Sequence, residues 1–475
     1  MPNGAMSGLR RRSPVHGLDR RNLGPVEVLA QSVSSAAPAA GMATVPAIVA
    51  TSAGTATVWS FVLATALAVL VGTCISRFTR RMAAAGSLYS LTAKGLGPAA
   101  AFASGTALLA GYTILVMAAL TGAAIYLDAL LARFGWRAPP VVGAVIVVLL
   151  AALAGALVLR GVRVSARIVL AVEAVSIALM LIIFAVLLGS LPVPDPDGGA
   201  SAGLGTAAAG VLPALGAFIG FEAATTLGVE ARRPFRSVPR AVLGTAAVVG
   251  LLSVVAAYTQ VAGFAGRLGG QPEPVVALAA ARGAPWLAVL LDLGIATSFV
   301  ACTLATANAL VRVLFSMGRD GIAPRVLGAT HRRYRTPHMA IAVALPVAAA
   351  VPAALLVAGV PGPDALRILL TVATAGYLVG YLLVCLAAPL FLRRIGELTP
   401  APVLVTAVTV PALAVACGAF VVSALGGPVP VVLAALLLAA LGWFGWLRMR
   451  RPAELAAIGV YDETSAADVH LGRLP

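Results

Sequence analysis

The sequence predicts an all-α integral membrane protein with about twelve transmembrane helices. Three observations carry the prediction. The 475 residues are 60% hydrophobic and 11% charged, with a mean hydropathy of +1.00, whereas soluble domains carry about 25% charged residues. Apolar runs of about 20 residues, the length that crosses a bilayer core, recur along nearly the whole chain. The basic residues sit between those runs and not in one patch. The net charge of +16 therefore follows the Lys and Arg excess of cytoplasmic loops and does not point to nucleic acid.

In order, residues 1–25 carry Arg10, Arg11, Arg12, Arg20 and Arg21 among Pro and Gly and read as a disordered cytoplasmic tail. They lack the short apolar segment and cleavage site of a signal peptide. Span one, 26–50, is interrupted between Ser34 and Gly41, where Pro38 cannot donate to a helix ladder. Span two is 56–76, and the segment 85–98 leads into span three, 99–128. Spans four and five are 140–159 and 165–190, the fifth ending in P-V-P-D-P-D-G-G. Span six, 207–230, is broken in its middle. Spans seven to twelve are 241–264, 285–316, 338–358, 366–391, 401–424 and 429–447. Twelve crossings put both termini on one side. Arg133, Arg137, Arg267, Arg282 and Arg367 then lie opposite, and the other 28 of the 33 Lys and Arg residues mark the terminal side as cytoplasmic.

The candidate site starts from span six. Gly216 and Gly220 bracket Phe218 and Ile219, and Glu222 follows. A carboxylate at that depth is expensive and marks a functional hypothesis, while unwound backbone there is tolerated only inside protein or along a water-filled cavity. The plain alternative is a kinked, well-packed helix with Glu222 bonded to a neighbour. Spans one and six are both broken, and five spans separate them, an odd number that inverts the second copy. Paired interruptions of that kind point to a transporter's substrate site.

Three stretches carry a resemblance. They are F-I-G-F-E at 218–222 with T-T-L-G-V-E at 225–230 and R-R-P-F-R-S-V-P-R-A at 232–241; R-V-L-F-S-M-G-R-D-G-I-A-P at 312–324 with H-R-R-Y-R-T-P-H at 331–338; and G-S-L-Y with G-L-G-P before span three. Over about 30–450 the sequence resembles the amino acid–polyamine–organocation permeases. The resemblance implies a LeuT-like fold of two inverted five-helix repeats, 26–191 and 207–391, with a peripheral pair, 401–447, and a tail, 448–475. It implies transport of amino acids or related amines, with no cofactor. It places substrate-carboxylate contacts on the backbone amides of Ala39, Ala40 and Gly41, and amine contacts on the carbonyls of Gly216, Phe218 and Ile219, so the substrate is expected between Ala39–Gly41 and Gly216–Gly220, with Gly41 and Gly220 facing a cavity. Many relatives carry a Gly-Ser-Gly type triplet where this chain has Ala39, Ala40 and Gly41.

Glu222, Glu173 in span five and Asp292 in span eight are the deep acids. Burial favours the neutral form of a carboxyl, so each is a candidate carrier of a coupled proton; the alternative is a structural hydrogen bond. Ser298 and Thr303 hint less strongly at sodium, since small hydroxylated residues in membrane helices usually serve packing. Tyr112 is expected to face the site or to pack. Arg319 and Asp320 read as a cytoplasmic cap and gate. His331 and His338 read as solvated, and Cys74, Cys302, Cys385 and Cys417 as core residues without metal or disulfide spacing. The rival readings are a multispan enzyme such as a lipid-linked transferase, disfavoured by scattered acids and short loops, and a transporter-like sensor.

Overall fold

A computed structural model describes residue 18 and residues 21–136, 139–189, 204–271, 273–281, 286–424 and 427–459. The loop at 190–203, most of the Arg-rich N-terminal tail and the C-terminal residues from 460 lie outside the described residues, as do Arg137 and Arg282.

The chain enters on α1 (Pro25–Ala36), breaks at Ala37 and continues as α2 (Pro38–Ala53). Ala37 takes the left-handed conformation, φ 47° and ψ 62°, uncommon for a residue with a Cβ. Pro38 at the first position of α2 has the φ a helix start wants and no amide to leave unpaired. A turn at Gly54–Ala56 leads into α3 (Thr57–Thr79). The short α4 (Leu88–Leu96) precedes α5 (Pro98–Arg133), α6 (Pro140–Arg160) and α7 (Val162–Leu188). Span six begins as α8 (Leu204–Leu215), loosens into turns over 216–220 and tightens into a 3-10 helix, Phe221–Leu227. The loosening is local: the amides of Gly216, Ala217 and Phe218 reach back three residues instead of four. Gly220 then takes φ +98°, open to glycine at little cost.

The second half follows as α9 (Pro234–Gly263), the short α10 (Pro274–Ala281), α11 (Trp286–Arg319), α12 (His338–Val357) and α13 (Gly362–Arg394). Two further spans, α14 (Pro400–Ala424) and α15 (Val429–Arg450), precede a final turn, α16 (Pro452–Ala456). Among the described residues ten helical stretches are long and apolar enough to cross a membrane. One of them, Pro25–Thr79, holds 55 residues, about 80 Å of helix at 1.5 Å per residue, and turns at Gly54, so it makes two crossings. The broken span six supplies the twelfth. The expected number therefore stands.

Inside the bundle α5 packs on α11 and α13, α3 on α9, and α12 on α6. Of the most apolar 18-residue windows, 67% is buried for α5 but 22% for α14 and 6% for α15, so the last two spans ride on the outside. One expectation fails. Residues 21–24 were expected to be disordered, yet Leu23 pairs in parallel with Ala231. The Arg21 and Leu23 amides donate to the Val229 and Glu230 carbonyls, and the Arg232 amide to the Leu23 carbonyl. Leu18 is buried against Ala85 and Phe315. The exit of span six offers backbone partners that composition alone does not reveal.

Candidate functional site

The two helix breaks meet. Between them lies a partly open cavity lined by Ser35, Ala36, Ala37, Ala40, Gly41, Thr44 and Val45 from the first broken span. Gly216, Ala217 and Ile219 line it from the second, Leu115, Ala118 and Ala119 from α5, Phe299 and Cys302 from α11, and Leu366 and Leu370 from α13. Among the described residues that line it, no side chain is charged. Of the expected substrate residues, Ala40, Gly41, Gly216 and Ile219 reach the cavity. Ala39, Phe218, Gly220 and Tyr112 are buried but not among its lining residues. Gly220 packs on α1, where an added Cβ would sit 2.7 Å from the Ser35 carbonyl oxygen.

The amides expected to meet a substrate carboxylate have partners within the protein in this structure. The Ala39 amide donates to Glu173 Oε1 at 3.1 Å, and the Ala40 amide to Ser298 Oγ at 3.1 Å. The Gly41 amide closes a helical bond to the Ala37 carbonyl at 2.9 Å. Ser298 in turn donates to Glu173 Oε1 at 2.9 Å. These amides are engaged from within the protein because α7 and α11 pack directly on the break. Likewise the Phe218 carbonyl accepts the Phe221 amide at 3.2 Å. Thr303, the other residue of the sodium hint, donates to the Phe299 carbonyl of its own helix at 3.0 Å.

Glu222 lies beside the cavity in a polar cluster. Tyr112 donates to its Oε1 at 2.7 Å and Tyr381 to its Oε2 at 2.6 Å. Ser87 Oγ lies 3.2 Å from the Tyr112 hydroxyl and 2.9 Å from Thr225 Oγ1. Tyr377 packs edge-on against Tyr112, with ring centroids 5.2 Å apart. Both carboxylate oxygens thus hold phenol protons, a charge-assisted arrangement.

Asp292 is not a lone deep acid. It stands in the second turn of α11, paired with Arg133 at the last residue of α5. Glu273, just before α10, lies 3.5 Å from the same guanidinium. Burial and the neighbouring Asp292 carboxylate push the Glu273 carboxyl up, against the opposing pull of Arg133. The span limits alone could not show that an arginine caps this acid.

On the terminal side of the breaks, Arg319 bonds Asp320 Oδ1 at 3.0 Å and Tyr89 donates to Asp320 Oδ2 at 2.7 Å. Sequence reasoning missed the stronger tie nearby. Arg312 Nη2 contacts both oxygens of Glu230 at 2.9 Å, and both residues are buried. An arginine inside the apolar stretch of α11 was the available signal. It also missed Gln31, whose amide donates to the Ala305 carbonyl at 2.6 Å, Gln260, which donates to the Met42 carbonyl at 2.7 Å, and Ser32, which donates to the Phe221 carbonyl at 2.6 Å. Together these fix the first broken span against α11, α9 and the second break.

The comparisons with known proteins agree with this architecture. The manganese transporter of Eremococcus coleocola, solved in complex with an aromatic bis-isothiourea substituted compound, superposes with a TM-score of 0.51 at 16% identity, over 91% of this chain and 95% of that one. That likeness shows a shared LeuT-like fold. The Bacillus subtilis methylthioribose transporter is 26% identical over 61% of this chain and 65% of its own length. The Bacillus subtilis branched-chain amino acid permease BcaP is 26% identical over 61% and 66%, and the Escherichia coli low-affinity putrescine importer PlaP 29% over 58% and 63%. The matched part of the chain thus spans just under two thirds of each of these relatives. The model of the family described as amino acid permease matches residues 27–432, nearly the whole membrane-spanning chain, and the protein belongs to that amino acid permease family.

Proposed function

We propose that the protein is a secondary active transporter of amino acids or related amines across the cytoplasmic membrane. It works by alternating access, coupled to protons or by exchange, and its two halves, 26–191 and 207–391, act as inverted repeats. Both termini lie in the cytoplasm. The observation that carries the reading is the asymmetry of the cavity. Its lining lies at the breaks and in the stretches of α2, α5 and α13 that run towards the face opposite Pro25. On the terminal side the Tyr112–Glu222–Tyr381 cluster, the Glu230–Arg312 pair and the Tyr89–Asp320 contact fill the space. A site between two helix breaks, closed on the terminal side by packed side chains, suits a carrier that opens to one face at a time.

The names of the relatives span an amino acid, a diamine and a sugar thioether, so the solute class is read from the cavity. Its apolar walls favour a solute with an aliphatic body. They do not suit a second charge, because a charge moved into low dielectric without a partner is costly. Radiolabelled uptake into proteoliposomes, with competition by a panel of amino acids and amines, tests the reading. It predicts saturable uptake of at least one aliphatic member. Uptake of every member no greater than in empty liposomes would contradict it.

A further inference from the structure

We propose that Glu173 is a specificity-determining residue: its carboxylate occupies the N-terminus of α2, and the cavity therefore selects solutes that carry no carboxylate of their own. The inference rests on the transporter reading and narrows it.

A helix leaves its first amides without internal partners, and its positive end draws an anion. In α2 those amides are all accounted for without a ligand. The Ala37 amide turns back to the Val33 carbonyl at 3.1 Å. Pro38 has no amide. Ala39 donates to Glu173 Oε1, Ala40 to Ser298 Oγ and Gly41 to the Ala37 carbonyl.

The cap is itself a buried carboxylate. Glu173 is 0% exposed, and its second oxygen, Oε2, has no hydrogen-bond partner. An arrangement that leaves such an atom unmet is expensive, and it is stationed at the half-helix end whose Ala37, Ala40 and Gly41 wall the cavity.

Among the described side chains, the charged and titratable groups on α1, α7 and α11 around Glu173 are themselves engaged. Glu27 of α1 pairs with Arg167 of α7 at 2.9 Å, and Asp292 of α11 with Arg133. Cys302 of α11 donates to the Ser35 carbonyl, and Arg312 of the same helix is held by Glu230. Among the described residues, a solute carboxylate at this wall would meet no open amide and no spare cation. Its charge would be moved out of water without a partner, which is costly. An amine or a neutral polar head meets no such opposition.

The test compares two solutes with the same aliphatic body, isopentylamine and leucine, which differ by the carboxylate. The full chain is reconstituted in proteoliposomes and each radiolabelled solute is followed, alone and in competition. The expected result is uptake of isopentylamine at least tenfold above leucine, with leucine a poor competitor. Glu173→Ala opens the Ala39 amide and should move the ratio at least tenfold towards leucine, a gain that damaged folding does not produce. Glu173→Gln keeps an acceptor oxygen for Ala39 and should still exclude leucine. Preference of the unaltered protein for leucine, or an unchanged ratio in Glu173→Ala, would overturn the inference and leave the transporter reading standing. Saturable uptake of neither solute would overturn the inference, and uptake of no member of the wider panel would overturn both.

Discussion

Glu222 and Glu173 are both fully buried, yet their neighbours differ. Glu222 has a phenol proton on each oxygen, while Glu173 caps a helix and leaves one oxygen unmet. Replacing Tyr112 or Tyr381 by Phe removes a donor to a buried carboxylate. Each change should lower stability by about 1.5–3 kcal/mol, read as a drop in melting temperature in detergent. Glu222→Gln keeps the shape and removes the exchangeable proton. It should abolish uptake driven by a pH gradient while sparing solute exchange, and proton-driven uptake that persists in the variant removes Glu222 as the carrier. Glu273 gives a prediction of opposite origin. Its carboxyl is raised in the folded protein, so folding favours the protonated form. Its contribution is complete below the ordinary value of about 4.5 and declines as pH rises through the raised value. Glu273→Gln should flatten the fall of melting temperature above that point; an unchanged profile would show that Glu273 does not contribute to it. At this scale Glu222 was legible because an acid after a glycine break is costly at midplane. Its tyrosines, 110 and 159 residues away, follow no spacing rule. The partner of Asp292 was hidden for the same reason: the arginine that pairs with it is 159 residues distant.

The helix breaks were the most legible elements. Ser34 to Gly41 contains the observed break at Ala37, and Gly216 to Gly220 is the observed loosened stretch. Pro38, Gly216 and Gly220 act through backbone rules that need no knowledge of the fold. What each glycine faces was not legible, because that depends on packing. Gly41 and Gly220 both looked as if they bordered a cavity. Gly41 does, with an added Cβ 3.8 Å from Ala217, an ordinary contact. Gly220 combines φ +98° with a wall of Ser35 atoms 2.6–2.9 Å from its added Cβ. Gly220→Leu should therefore cost folded yield, seen as loss of the monodisperse peak in size-exclusion chromatography. A normal peak would show that α1 yields more easily than its contacts suggest. The 3-10 form of the stretch after Gly220 was also hidden, since its residues are compatible with an ordinary helix.

For the whole molecule, composition and the spacing of apolar runs were enough to give twelve crossings. The merging of the first two into one helical stretch and the strap of residues 21–24 were not, because both arise from contacts between distant segments. The Glu230–Arg312 pair joins the exit of span six to α11 on the terminal side. Removing one partner leaves a buried charge uncompensated, and Glu230→Ala should destabilise by about 3–5 kcal/mol; a loss under 1 kcal/mol would mean the site opens to water. The proposed orientation puts the 320–337 loop in the cytoplasm. A cysteine at Thr330 should then resist an impermeant thiol reagent in intact cells, and its labelling would reverse the topology. The claim on which the account stands is that solute binds in the cavity between the two broken helices. Uptake by Gly41→Leu in proteoliposomes, set beside Gly442→Leu, tests it most directly. Gly41 lines the cavity and Gly442 has open space around it. The account predicts at least a tenfold fall for Gly41→Leu, equivalent to about 1.4 kcal/mol if binding alone changes, with Gly442→Leu near normal. Unaltered uptake by Gly41→Leu at normal expression would contradict it and place the solute elsewhere.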